Sequence, residues 1–139
     1  MVLNPGSSSV GLQSHFVSGA VPKDIQSVME KFAGLGVDVA VTELDIRILL
    51  PADDKAISAQ AAEYASVVRA CRSVPRCVGV TTWGLTDAHS WIPSFFPGFG
   101  AALPFDEAHR SKPAVAAMTM AWAKSAPWPA HWGKGLIRP

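Results

Sequence analysis

Val37–Leu44 reads VDVAVTEL, with Asp45 directly after it. Val and Thr dominate the run, and charges are few until its C-terminal end, where Glu43 and Asp45 stand two residues apart. Strands buried on both faces of a parallel sheet have this composition. A helical pattern precedes the run. Lys23–Leu35 spaces Ile25, Val28, Met29, Phe32 and Leu35 by threes and fours, with Pro22 at its start and Gly36 just past its end, as helix termini prefer. A second helical pattern follows: Ile57–Ser73 puts Ala61, Tyr64, Val67, Val68 and Cys71 on one stripe. Two further β-like runs lie to either side, Ser9–Phe16 and Cys77–Trp83, and Pro113–Lys124 forms a third, Ala-rich helix with Pro in its first turn. The order βαβαβα predicts an α/β fold with a parallel sheet and right-handed crossovers.

The chain has 139 residues, the size of one domain. Its formal charge of +1 argues against a nucleic-acid partner, which leaves a basic face or stripe, and against a polybasic membrane-surface segment. Apolar residues make up 49% and charged residues 17%, against about 25% charged in an average domain, so there is ample material for a core. No apolar run approaches the roughly 18–20 residues that cross a bilayer. The opening MVLNPGSSSV has neither the basic n-region nor the apolar h-region of a signal peptide. Residues 1–8 read as an irregular lead-in, 9–124 as the folded body, and 125–139 (SAPWPAHWGKGLIRP) as an irregular Pro- and Trp-containing tail. An eight-unit barrel takes ~250 residues, so three βα units read either as part of such a barrel or as a small doubly wound sheet.

Function in α/β folds gathers at the carboxyl ends of the strands. Here those ends carry Gln13-Ser14-His15, Thr42-Glu43-Leu44-Asp45 and Thr82-Trp83-Gly84. Residues two apart on a strand share a face. Gln13 and His15 are therefore expected to point one way, as are Glu43 and Asp45. With the strands adjacent, two carboxylates, an imidazole, an amide and the Trp83 indole would line one pocket floor. That set suits sugar chemistry: a carboxylate can attack an anomeric carbon, and indole faces pack on sugar rings. No Gly-rich phosphate loop of either common type is present. Plainer readings stand beside this one. Glu43 and Asp45 could be a solvated strand end with a helix cap, His15 a satisfied, partly buried histidine, and Trp83 core. Trp91, in a loop with Ser90 and Pro93, favours a cleft wall, whereas Met29, Met118 and Met120 read as core. His15, Asp45, Asp87 and His89 lack any recognised metal-ligand spacing, so no metal and no other cofactor is expected. Cys71 and Cys77 are too few for a disulfide scaffold and are separated by five residues, not the two of a redox-active pair.

Taken together, GLQSHF (Gly11–Phe16), FAGLGVDVAVTELDIR (Phe32–Arg47), CVGVTTWGLTDAHSW (Cys77–Trp91), PSFFPGFGAALPFDE (Pro93–Glu107) and KPA (Lys112–Ala114) resemble the C-terminal part of glycoside hydrolase family 10, the endo-1,4-β-xylanases. The resemblance covers roughly residues 9–120. It implies units six to eight of a (β/α)8 barrel, hence a partial TIM barrel, and a substrate of xylan or xylo-oligosaccharide. Position by position, Glu43 matches the nucleophile, Asp45 and His15 the hydrogen-bonded pair that supports it, Gln13 a nearby substrate-binding residue, and Trp83 and Trp91 the aromatic walls of the cleft. Arg47 lies in the matching stretch with no role assigned. The family often bridges the positions of Cys71 and Cys77, a disulfide that would contribute ~2–2.5 kcal/mol by chain entropy and suits a secreted parent enzyme.

One departure carries weight. Retaining hydrolysis uses two carboxyl groups about 5–5.5 Å apart, a nucleophile and an acid/base. The family acid/base lies in a WDVVNE-like motif, which does not occur in these residues. The family's Lys, Asn and Trp residues of the glycone cleft are missing too. Asp45 shares a strand with Glu43, so both would approach a sugar from one side. The lead-in also departs from the family, as a truncated or misassembled reading frame would. The expectation is a xylanase-like chain with its nucleophile but little or no turnover alone. The alternative is a non-catalytic xylan-binding or interaction module. A partial barrel also exposes strand edges, which predicts pairing with the missing N-terminal barrel half or self-association.

Overall fold

The computed structural model describes residues 8–124. The lead-in before Ser8 and the 125–139 tail lie outside the described residues, along with Trp128 and Trp132. The described chain runs β1 (Ser9–Leu12), β2 (His15–Val17), α1 (Ile25–Ala33), β3 (Asp38–Leu49), α2 (Asp54–Ser73), β4 (Cys77–Thr82), a single 3-10 turn (Asp87–His89), the short α3 (Ile92–Phe95), β5 (Phe99–Gly100) and α4 (Pro113–Lys124).

β3 is the spine of the sheet. β1 pairs in parallel with its first half (Ser9↔Asp38 to Leu12↔Val41) and β2 with its second (His15↔Asp45 to Val17↔Arg47). β4 pairs in parallel with β3 from Val39↔Cys77 to Leu44↔Thr82. β1 and β4 engage the same stretch of β3, so they occupy its two opposite edges. β5 adds a short antiparallel contact at Ile48 and Leu49. Among the described residues no strand pairs the outer edges of β1, β2 or β4, so the sheet is not closed.

β3 runs past the expected end at Leu44 to Leu49, because buried Ile46 and Ile48 continue the alternation and β2 and β5 supply partners there. The first expected strand is broken in two. Ser14 adopts φ 69°, a left-handed conformation uncommon outside glycine, and it turns the chain between β1 and β2. α2 starts a turn earlier than its apolar stripe, at Asp54, because the Asp53 carboxylate accepts the Ala56 N–H at 2.7 Å, a helix N-cap.

One face of the sheet is covered by helices. Val39, Val41, Leu44 and Ile46 of β3 pack with Met29 of α1, Tyr64, Val67 and Cys71 of α2 and Ala114 of α4 in one buried cluster. Met120, expected in the core, is instead 53% exposed. α4 is apolar all round, and its buried contacts are made by Ala114 and Ala121.

The phase of burial along β3 changes at its centre. Val39 and Val41 are buried in the first half, Leu44, Ile46 and Ile48 in the second. Between Val41 and Leu44 β3 advances three residues while β4 advances two, from Val80 to Thr82. Against the other edge it advances four, Val41 to Asp45, while the β1–β2 strand advances three, Leu12 to His15. Both neighbours thus oppose one extra β3 residue at Thr42–Glu43, a β-bulge, a device that re-aims side chains beside sites. Without it Glu43 would share the helix-covered face of Val39 and Val41. With it Glu43, Asp45 and Arg47 turn to the other face.

Candidate active site

His15 is where the two halves of the site meet. Its pairing with Asp45 across β2 and β3 brings Nδ1 to 2.9 Å from Asp45 Oδ2, and Nε2 lies 3.2 Å from Glu43 Oε2. An ionised carboxylate only accepts, so a doubly protonated ring donates to both, whereas a neutral ring donates to one. Trp91 donates its indole N–H to the same Asp45 Oδ2 at 2.8 Å. Asp45 is fully buried, while the side chains of Glu43 and His15 keep 23% and 20% exposure. The buried carboxylate is thus held by two donors, and the outer one faces solvent with one oxygen on the imidazole. The Trp91 ring meets His15 edge-on with centroids 5.1 Å apart, and Trp83 does the same at 6.3 Å. Trp83 is 49% exposed, so it is not core.

Beneath these groups lies a second polar layer. The buried Gln60 side chain donates to Ile46 O (2.7 Å) and Ala101 O (2.5 Å). The Tyr64 hydroxyl donates to Ala102 O at 2.6 Å. Burial pushes the Tyr64 phenol far above its usual range, with the Asp45 and Asp87 charges adding to the effect, so Tyr64 acts only as a neutral hydroxyl. Lys112 Nζ donates to Asp87 Oδ2 (2.9 Å) and Ala101 O (2.6 Å), and Asp87 Oδ1 accepts the Leu103 N–H (2.8 Å). Burial holds the Lys112 ammonium below the ordinary lysine range, and the Asp87 carboxylate opposes that shift.

Five of the six expected site residues are therefore drawn together: His15, Glu43, Asp45, Trp83 and Trp91. Gln13 is not. It is exposed, its side chain forms no hydrogen bond among the described residues, and it borders a crevice with Pro22, Ile25 and Val28. The turn at Ser14 interrupts the alternation that would have aligned it with His15. Asp87 is committed to Lys112 and Leu103, away from His15 and Asp45, and no set of three or more potential ligands for a metal ion forms among the described residues. Cys71 and Cys77 are joined by a disulfide between the end of α2 and the start of β4.

The model of glycosyl hydrolase family 10 matches residues 6–121. The chain belongs to that family. An endo-1,4-beta-xylanase of Agaricus bisporus is 46% identical to this family 10 chain over 115 residues, 83% of the chain and 34% of the relative. The glycosylated endo-beta-1,4-xylanase of Gloeophyllum trabeum superposes with a TM-score of 0.80 at 47% identity, covering 83% of this chain and 36% of that one. A family 10 xylanase from Bispora sp. MEY-1, solved with xylobiose, gives a TM-score of 0.78 at 38% identity over 82% of this chain and 37% of its own. The family 10 chain thus spans about a third of the length of these relatives, and its open parallel sheet corresponds to part of a TIM barrel.

The layer of Gln60, Tyr64, Asp87 and Lys112 is what sequence reasoning missed in this family 10 chain. A signal existed for one member: Gln60 stands one turn before Tyr64, a polar residue on a stripe otherwise apolar. The sequence assigns Arg47 no role. Its guanidinium lies 4.0 Å from the Phe96 ring centroid and 5.6 Å from that of Phe99, a cation–π contact at the end of β3 beyond the carboxylates.

Proposed function

We propose that this chain carries the nucleophilic side of a retaining glycoside hydrolase acting on β-1,4-xylan. Glu43 attacks the anomeric carbon, Asp45 and His15 hold its charge and orientation, and Trp83 and Trp91 wall the cleft. Gln13 reaches substrate only if the turn at Ser14 rearranges when sugar binds. The observation that carries the reading is His15 bridging Glu43 Oε2 and Asp45 Oδ2. One carboxylate is buried, with its Oδ2 held by His15 and Trp91, and the other is accessible, the division a nucleophile and its support require. The xylobiose in the Bispora enzyme supports a xylo-oligosaccharide ligand. The acid/base is a carboxyl group facing Glu43 from the opposite side of the sugar, supplied by the remaining barrel units. The disulfide supports a polypeptide that matures in an oxidising, extracellular setting.

An activated leaving group needs no acid. Incubation with a dinitrophenyl 2-fluoro-xylobioside should therefore add one glycosyl mass, mapped by peptide analysis to Glu43. A folded chain that takes no label would overturn the assignment.

The second reading is a xylan-binding module without turnover. It is favoured by Glu43 and Asp45 both hanging on one imidazole, which leaves them on one side of any sugar. Glu43→Ala separates the two. An enzyme loses labelling and keeps xylo-oligosaccharide binding, whereas a binding module has no labelling to lose.

A further inference from the structure

Trp83 and Trp91 flank the site but are held by different means. The Trp83 amide donates to Leu44 O of β3 at 3.0 Å, so its backbone is part of the sheet. Trp91 follows a tight loop. The 3-10 turn at Asp87–His89 is closed by His89 N–H to Thr86 O (3.1 Å) and Ser90 N–H to Asp87 O (3.2 Å), and Trp91 comes next. The loop's inner anchor is the Asp87 side chain, and that anchor is gripped by Lys112, at the foot of α4.

The grip extends to β3. Lys112 Nζ also donates to Ala101 O, which accepts Gln60 Nε2 as well, and Gln60 Nε2 reaches Ile46 O, the residue after Asp45. Ala101 has φ 48°, a left-handed backbone uncommon for a residue with a Cβ, and its carbonyl takes both donors. The Lys112 and Asp87 side chains are 7% and 9% exposed, and Gln60 is fully buried. Hydrogen bonds in a buried polar layer of this kind are strengthened by the low dielectric around them.

We propose that Lys112 is a positioning residue for the site: through Asp87 and Ala101 it fixes the loop that delivers the Trp91 indole N–H to Asp45. Lys112 touches neither sugar nor carboxylate nucleophile. It acts on Glu43 through Trp91, Asp45 and His15, and the effect on reactivity rests on Glu43 being the nucleophile proposed above.

The test uses the full chain with its Trp indole N–H signals resolved by ¹H–¹⁵N spectroscopy and assigned with Trp91→Phe and Trp83→Phe. Lys112→Met leaves the Asp87 carboxylate buried without its cation and should destabilise the fold. The double variant Asp87→Asn/Lys112→Met removes both charges and should recover most of that stability, while the tether from α4 stays lost. In the double variant we expect the Trp91 indole signal to shift and its solvent exchange to rise at least tenfold. The Trp83 signal should remain in place. Labelling of Glu43 should slow by a factor of ten or more. A double variant with native Trp91 signal and exchange would overturn the proposal and leave the pair as a structural contact only.

The unmodified chain supplies a check that needs no variant. The Trp91 indole proton and the Leu103 amide proton, which Asp87 accepts, should be released by one common opening under native conditions. Trp91 exchanging freely while Leu103 stays protected would overturn the proposal. If wild-type Glu43 takes no label, the nucleophile assignment fails, and the Trp91 readouts still decide the role of Lys112.

Discussion

His15 and Asp45 come from strands 30 residues apart, yet they are direct cross-strand partners, with Nδ1 of one 2.9 Å from Oδ2 of the other. That pairing has two local causes. The turn at Ser14 restarts the first strand as β2, and the extra residue at Thr42–Glu43 moves the pairing by one step, from Leu12↔Val41 to His15↔Asp45. A one-residue step in register changes the face on which every following side chain lies. The step turns Glu43 and Asp45 to one face of β3, so the imidazole reaches both carboxylates.

Removing the imidazole should therefore cost more than one hydrogen bond. Among the described residues, His15→Ala leaves the buried Asp45 side chain with only the Trp91 donor and the Glu43 side chain with none. Hydrogen bonds to charged groups are worth about 1.5–3 kcal/mol each, and partial exposure lowers the Glu43 share. A loss of about 2–3 kcal/mol in urea denaturation is expected, with labelling of Glu43 falling by at least tenfold. A variant as stable and as reactive as the parent would refute the bridging role.

Acid should weaken the fold through Asp106. The Arg110 amide foremost holds its carboxyl below the ordinary aspartate value, burial opposes this, and the Arg110 guanidinium and Ala108 amide add to it. A pKa lower in the folded than in the unfolded chain gives stability that is present above the unfolded value, about 3.9, and is lost as pH falls through the folded one. Asp106→Asn should thus be less stable than the parent at pH 7 and at pH 5, and the gap should close below about pH 4. A gap that persists unchanged at pH 2.5 would assign the effect to the amide's geometry and not to charge.

The spine of this fold was legible because VDVAVTEL, its flanking helices and the sequential strands all carry strong local patterns. Glu43, Asp45 and His15 were legible because strand ends collect function in α/β folds. The limits lay in irregular backbone. Alternation assumes an unbroken strand, so the turn at Ser14 defeated it for Gln13, and the bulge at Thr42–Glu43 carries no composition signal. The Asp87–Lys112 pair escaped because its partners are 25 residues apart and meet only through the fold of the intervening loop.

The disulfide closes a loop of sequence separation 6 between α2 and β4. The chain-entropy model assigns such a loop ~2–2.5 kcal/mol. The double variant Cys71→Ala/Cys77→Ala should lose about that much, plus a packing term, because Cys71 is fully buried against the core. Urea denaturation of the parent with and without reductant isolates the covalent share. No difference between those two curves would show that the bridge contributes nothing to equilibrium stability.

The outer edge of β4 offers the last test. β4 is joined to β3 on one side, and among the described residues nothing pairs its other side. Beside that edge runs a groove of about 790 Å³ lined by Val78, Val80, Met118 and Trp122. An exposed strand edge with apolar flanks is a template for another strand. The 139-residue polypeptide should therefore gain mass with concentration in sedimentation equilibrium. Thr81, exposed on β4, is the place to block this. A charged edge residue disfavours pairing, so Thr81→Lys should shift the equilibrium toward monomer without lowering the melting temperature of the dilute chain. Addition of the complementary barrel units as a separate polypeptide should compete with self-association. A parent chain that stays monomeric at every concentration and melts cooperatively would mean that the edge is protected by the chain itself.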